Sequence, residues 1–253
     1  MVLASMTAAA RTAGAWLAAQ PPPGDATTWP EFAAAFRAVD GPAGEMLRRD
    51  LSALRPDAAW AGELDTDLPD EGEAWVVDAI DGAVQYLQGL PQWCVSVALV
   101  RDREPVAAVL HSPHLGETYA AEAGRGVTRN GAPVGPSRKK ELAACVVTTA
   151  QPPFPEETRQ AGASLSAVLP HVAAVRNLGP TSWQIADVAA GRLDAFWQYG
   201  ADDGNLLGAA LLAREAGARV TDLEGRAWTA GAPFFLAAPE ALHGPLLELL
   251  AAV

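Results

Sequence analysis

Asp78 and Asp81 follow an apolar run, Trp75-Val76-Val77, and are themselves followed by Gly82. A buried strand gains nothing in packing by ending on two carboxylates, because unpaired carboxylates are costly to desolvate. A divalent cation changes that account, since hard ions such as Mg²⁺ take oxygen ligands from carboxylates and backbone carbonyls. Asp78, the carbonyl of Ile80 and Asp81 are near enough in sequence to reach shared ions. Gly82 lets the chain turn, and residues 83–88 begin a short helix whose first N–H groups, with those of Gly82 and Ala83, suit a phosphate oxygen. Such a set supports attack on a phosphate ester by a metal-activated water. Taken alone, Asp-x-x-Asp-Gly after an apolar run reads equally as a turn with an aspartate cap.

The elements that must position these residues follow from periodicity and punctuation. Leu3, Met6, Ala10, Ala13 and Leu17 predict a helix, stopped at Pro21-Pro22-Pro23-Gly24. A second helical region is expected over 28–38 and 44–54, broken at Gly41-Pro42, with Asp40 as a cap at the break. Residues 93–100 and 104–111 predict an antiparallel hairpin around Arg101-Asp102-Arg103, and 117–122 a third strand, with Asn130-Gly131 a further hairpin signal. Strands near 141–149, 173–176, 193–197, 219–222 and 234–237 alternate with helices at 156–169, 182–190, 206–215 and from 240. This interleaving predicts a layered α/β architecture, with an N-terminal half over 1–140 and a C-terminal half over 141–253 in one compact unit.

The whole chain bounds the partners. Its 253 residues carry 18 Lys and Arg against 30 Asp and Glu, a formal charge of −12. So acidic a chain has no electrostatic footprint for nucleic acid or an anionic membrane, and suits an anionic substrate only where bound cations invert the local field. Cys94 and Cys145 sit in apolar runs and read as buried free thiols. With no charged leader ahead of an apolar segment and no uninterrupted apolar span, a cytoplasmic location is expected. Trp60, Trp183, Trp197 and Trp228 read as core, and His111 and His114 as strand-end residues.

The stretch Trp75-Val-Val-Asp-Ala-Ile-Asp-Gly82 resembles the Trp-x-x-Asp-Pro-Ile-Asp-Gly-Thr signature of the inositol monophosphatase family. Upstream, Gly62-Glu63 matches the start of that family's Gly-Glu-Glu, with Leu64 in place of the second glutamate. The resemblance implies a sandwich of alternating helix and sheet layers, Mg²⁺ as cofactor and a small phosphorylated metabolite as substrate. It also implies a homodimer. In this alignment Glu63 ligates metal and orients the attacking water, and Asp78, the Ile80 carbonyl and Asp81 complete the near ligands. Glu63 and Asp81 are the catalytic candidates, Gly82 and Ala83 hold the phosphate, and Thr181, Gln198 and Asp202 line the alcohol side. Asp40 falls near a further, weaker metal site of family members.

The match breaks at several chemical positions. Counting back from Arg214-Glu215-Ala216-Gly217, the family's Trp-Asp falls on Gly204-Asn205, so Asn205 replaces an anionic metal ligand with a neutral carbonyl oxygen. Ala83 stands for a threonine that positions the water, Ala79 for the proline, Gln85 for an asparagine and Gln198 for a substrate-side glutamate. Asp202 and Asp203 either supply the missing charge or form a surface turn. Three readings stay open: a Mg²⁺-dependent hydrolase of an inositol, sugar or nucleotide monophosphate; a member without hydrolysis that serves as a binding or scaffolding protein; and an enzyme of another reaction in the same pocket.

Overall fold

A computed structural model of the chain describes residues 2–21, 26–62, 67–152 and 155–253. Two helices come first, α1 (Val2–Ala18) and α2 (Trp29–Leu54). Met6, Ala10, Ala13 and Leu17 of α1 and Ala43, Leu47 and Leu51 of α2 are buried at helical spacing, so each helix offers one apolar stripe. At the start of α2 the Glu31 carboxylate accepts the Thr28 N–H at 3.0 Å. The expected break at Gly41-Pro42 is absent: Pro42 lies inside a continuous helix, and Asp40 is an interior residue and not a cap. Proline removes the bond to the Ala38 carbonyl, but Ala38, Gly41 and Pro42 are all exposed, so water can satisfy the freed oxygen.

The chain then builds β1 (Ala59–Trp60), β2 (Glu73–Asp81), α3 (Ala83–Leu87), β3 (Cys94–Arg101), β4 (Glu104–Ser112), β5 (Glu117–Glu122), β6 (Val127–Arg129) and β7 (Ala132–Pro133). Among the described residues these strands form one sheet in sequence order, antiparallel except for the β1–β2 pair. The second half contributes β8 (Val146–Thr149), α4 (Thr158–Val168), β9 (Ala174–Val175), α5 (Thr181–Ala189), β10 (Ala195–Tyr199), α6 (Asp203–Glu215), β11 (Arg219–Thr221), β12 (Phe234–Ala238) and α7 (Glu240–Ala251). Its strands form a second sheet in the order β11-β12-β10-β8-β9.

Period-two alternation shows how the layers stack. In β2, Trp75 and Ala79 pack with α1 and α2, whereas Ala74 and Val76 pack with Leu207 and Ala210 of α6. In β10, Phe196 joins the α5–α6 side, while Ala195 and Trp197 face Val168 of α4 and Leu242 and Leu246 of α7. Each sheet is therefore covered on both faces, and α5 and α6 form a central layer shared by the two. This is the layered α/β architecture that the element pattern predicted, in the alternating sandwich that the resemblance implied. Close approach is built in at Gly208 of α6, where a Cβ would stand 3.3 Å from the Ala98 Cβ and 4.0 Å from the Ser96 Oγ. Trp183, Trp197 and Trp228 are core as expected, and Trp60 is half-buried beneath the Arg48 guanidinium. Cys94 and Cys145 are buried free thiols.

Candidate active site

A spacing of three places two side chains on opposite faces of a regular strand. Yet the register of β2 on β3 pairs Asp78 with Ser96 and Asp81 with Cys94, three residues against two. The extra residue is a β-bulge, and it returns both carboxylates to one face. That face is the one covered by α5 and α6, since Cys94 packs with Trp183 and Ala186 of α5 and Ser96 lies beneath Gly208 of α6. Both aspartates are almost fully buried, at 6 % and 5 % exposure. The bulge is pinned locally, because the Ile80 N–H donates to the Asp78 Oδ1 at 2.8 Å.

Asp81 is held from the far half of the chain. Its Oδ2 accepts the Ser182 backbone N–H at 3.1 Å and the Ser182 hydroxyl. Ser182 lies in the first turn of α5, where an amide N–H lacks an intrahelical acceptor and the helix dipole favours an anion. The Cys94 thiol lies 4.0 Å from the same oxygen, and burial and then the Asp81 charge hold it well above the ordinary thiol range. Directly after Asp81, Gly82 adopts φ +102°, and a Cβ there would meet the Trp93 Cβ at 3.1 Å and the Gln92 carbonyl at 3.2 Å. Only glycine fits this turn. Helix α3 follows with the Tyr86 N–H bonded to the Gly82 carbonyl at 2.9 Å, so the Ala83 N–H stands at its open start.

The residues expected on the alcohol side form one hydrogen-bonded chain. The Thr181 hydroxyl donates to the Gln198 Oε1 at 3.3 Å, and the Gln198 Nε2 donates to the Asp202 Oδ2 at 2.9 Å. The other Asp202 oxygen accepts the Asn205 Nδ2 at 3.0 Å. Asp202 is the N-cap of α6, so the helix begins earlier than the apolar pattern indicated, and Asp202-Asp203 is not a surface turn. Asp203 turns elsewhere, accepting the Gly231 N–H at 2.8 Å, and burial raises its pKa. Asn205 presents its remaining oxygen, Oδ1, as a buried atom without a hydrogen-bond partner. Glu215, the anchor of the sequence count, accepts the N–H groups of Gly124 and Gly126 at 2.8 and 2.7 Å and ties the end of α6 to the β5–β6 turn. Its role is architectural.

A cleft of about 320 Å³ opens beside the bulge, lined by Asp81, Gly82, Ala83, Gln85, Thr181 and Gln184, among others. Apart from Asp81, the described residues that line it carry no charge. Glu63, the third carboxylate of the expected set, and Leu64 lie outside the described residues. Within the described residues, no three His, Cys, Asp or Glu side chains converge as an ion-binding group. The donors that are present nonetheless suit a hard cation: two buried carboxylates turned to one face, and an amide oxygen at Asn205 with no other partner. Two residues that the sequence did not single out are Ser182 and Gln184. The only local signal for either was the Thr181-Ser182 pair opening a helix after Gly179-Pro180.

Comparison with known proteins gives this arrangement a lineage. The model of the Inositol monophosphatase family matches residues 32–253. An inositol-1-monophosphatase of Rhizobium meliloti is 34 % identical over 190 residues, covering 74 % of this chain and 71 % of the relative. A Nus factor SuhB of Xylella fastidiosa is 33 % identical over 190 residues, covering 74 % of this chain and 68 % of that one. Among solved structures, the inositol monophosphatase of Anabaena superimposes with a TM-score of 0.86 at 25 % identity, covering 99 % of this chain and 95 % of the other. The chain belongs to the inositol monophosphatase family, a family of phosphoric monoester hydrolases.

Proposed function

We propose that the chain is a Mg²⁺-dependent phosphatase of a small phosphate monoester, its substrate an inositol, sugar or nucleotide phosphate. The observation that carries this reading is the bulge, which turns Asp78 and Asp81 to one buried face at the start of α5. Glu63, Asp78, the Ile80 carbonyl, Asp81 and Asn205 would hold a magnesium ion, which would supply positive charge against the phosphoryl oxygens and lower the pKa of the attacking water. Glu63 orients that water. The Gly82 and Ala83 N–H groups receive a phosphoryl oxygen, and Thr181, Gln198 and Asp202 line the alcohol side. Because the cleft wall has no cationic side chain among the described residues, charge on the substrate must be met by the cation and by backbone dipoles. Homodimerisation belongs to the same reading.

The test is phosphate release from a panel of monoesters with Mg²⁺, with chelator, and in Asp78→Asn. Turnover that needs the metal and disappears in the variant supports the reading; metal-independent turnover, or none with any ester, overturns it. A second reading has its own observation. Asn205 gives its amide nitrogen to Asp202 and offers a cation only a neutral oxygen, and Ala83 carries no hydroxyl, which suits a member that binds ligand or partner without hydrolysis. Titration calorimetry with Mg²⁺ and a monoester separates the two, since binding without turnover supports only the second.

A further inference from the structure

Gln184 lines the same cleft and is 1 % exposed. Its amide is fixed from one side. The Oε1 accepts the Leu178 N–H at 3.0 Å and the Thr148 hydroxyl, so the oxygen and nitrogen of the amide are told apart by their surroundings. The Nε2, on the other branch of the same planar group, is buried and has no hydrogen-bond partner. A buried donor left unpaired is unfavourable, and native structures seldom keep one without a reason. The packing around it does not explain it, because a residue that served only to hold Leu178 and Thr148 needs an acceptor and no amide nitrogen.

We infer that Gln184 is a specificity-determining residue whose Nε2 donates a hydrogen bond to an oxygen of the bound ligand. The shared chemistry is an acceptor oxygen, and it has two sources in a phosphate monoester: the phosphoryl group or a hydroxyl of the alcohol. The inference rests on the cleft being the substrate site of the proposed phosphatase. It goes beyond that reading in assigning the residues around the cleft a hydrogen-bond donor that is independent of the metal ligands.

The experiment uses the full ¹⁵N-labelled chain with Mg²⁺, titrated with inorganic phosphate and separately with myo-inositol. The Gln184 side-chain amide is assigned by its absence from Gln184→Met and from Gln184→Glu. It is expected to shift on addition of one probe. By calorimetry, Gln184→Met binds that probe about tenfold more weakly. Gln184→Glu keeps an acceptor for Leu178 and Thr148, loses the donor and gains a negative charge. If the partner is phosphoryl, this variant also weakens phosphate binding by at least about tenfold, since a carboxylate there repels the anion. If the partner is a hydroxyl, which can donate as well as accept, Gln184→Glu retains inositol binding while Gln184→Met does not. Phosphatase turnover is measured in parallel. Turnover with an unmoved Gln184 amide overturns the inference and leaves the phosphatase reading standing. A shifted amide without turnover does the reverse. Neither shift nor turnover overturns both.

Discussion

Restoring the family's aspartate at position 205 is the informative perturbation, and the structure gives its cost. The Asn205 Nδ2 donates to the Asp202 Oδ1 at 3.0 Å, at the first turn of α6. Asn205→Asp replaces that donor with an oxygen. A hydrogen bond to a charged acceptor is worth about 1.5–3 kcal/mol. Two like charges about 4 Å apart repel by about 1 kcal/mol in water and about 4 kcal/mol where the effective dielectric constant is about 20. Both residues are half-buried, so screening holds the repulsion near the lower figure. The sum is about 2–4 kcal/mol at neutral pH without divalent ions, or a fall in Tm of roughly 5–10 °C for a chain of this size. Mg²⁺ should reverse the trend, because an added anionic ligand strengthens binding and bound ligand stabilises the fold by about 2.7 kcal/mol at one hundred times Kd. The assay is thermal unfolding across a Mg²⁺ series for the native chain, Asn205→Asp, and the exchanged pair Asp202→Asn with Asn205→Asp. In the exchanged pair an amide can again donate to a carboxylate and still accept from the Gln198 Nε2, so most of the loss is recovered. An unchanged Tm in Asn205→Asp without Mg²⁺, and no recovery in the exchanged pair, would refute the reasoning.

Further predictions follow from the same geometry. Ser182→Ala removes the hydroxyl that occupies the Asp81 Oδ2, and Mg²⁺ affinity measured by calorimetry should rise. Gly82→Ala forces a Cβ to within 3.1 Å of the Trp93 Cβ at φ +102°, and should lower stability by about 1–3 kcal/mol in denaturant unfolding. His243 is fully buried with its Nε2 on the Thr221 Oγ1 at 2.8 Å, and burial lowers its pKa from 6.5 to about 4. The neutral ring is thus favoured in the fold, so its stabilisation is complete above pH 6.5 and is lost as the pH falls toward about 4. In His243→Gln the acid limb of the stability profile over that window should flatten by up to about 3 kcal/mol.

How much of this was legible depended on whether the signal was local. The end of β2 was, because tryptophan and valine running into two carboxylates and a glycine mark where a strand stops and the chain turns, although the choice between a cation site and a capped turn needed the wider family pattern. The face those carboxylates share was not: their spacing of three argues for opposite faces, and the bulge that reconciles them shows only in pairing with Ser96 and Cys94. Pro42 misled, since a proline at an exposed position interrupts one hydrogen bond without ending a helix. The start of α6 was placed late because Asp203 and Gly204 carry no apolar periodicity, although Asp202 is a suitable cap. Ser182 was beyond reach, as its partner Asp81 lies 101 residues away and nothing around Ser182 announces it. Gln198 came from family alignment, and the hydrogen bonds that join it to Thr181 and Asp202 required coordinates.

Placing the carboxylates on one face through main-chain pairing has an evolutionary corollary. Positions such as 83 and 205 can drift in chemical character while the aspartates keep their aim, because what aims them is a one-residue surplus in a ladder of peptide groups. A lineage with such a scaffold can detune, lose or redirect catalysis through single codon changes without first having to rebuild its framework.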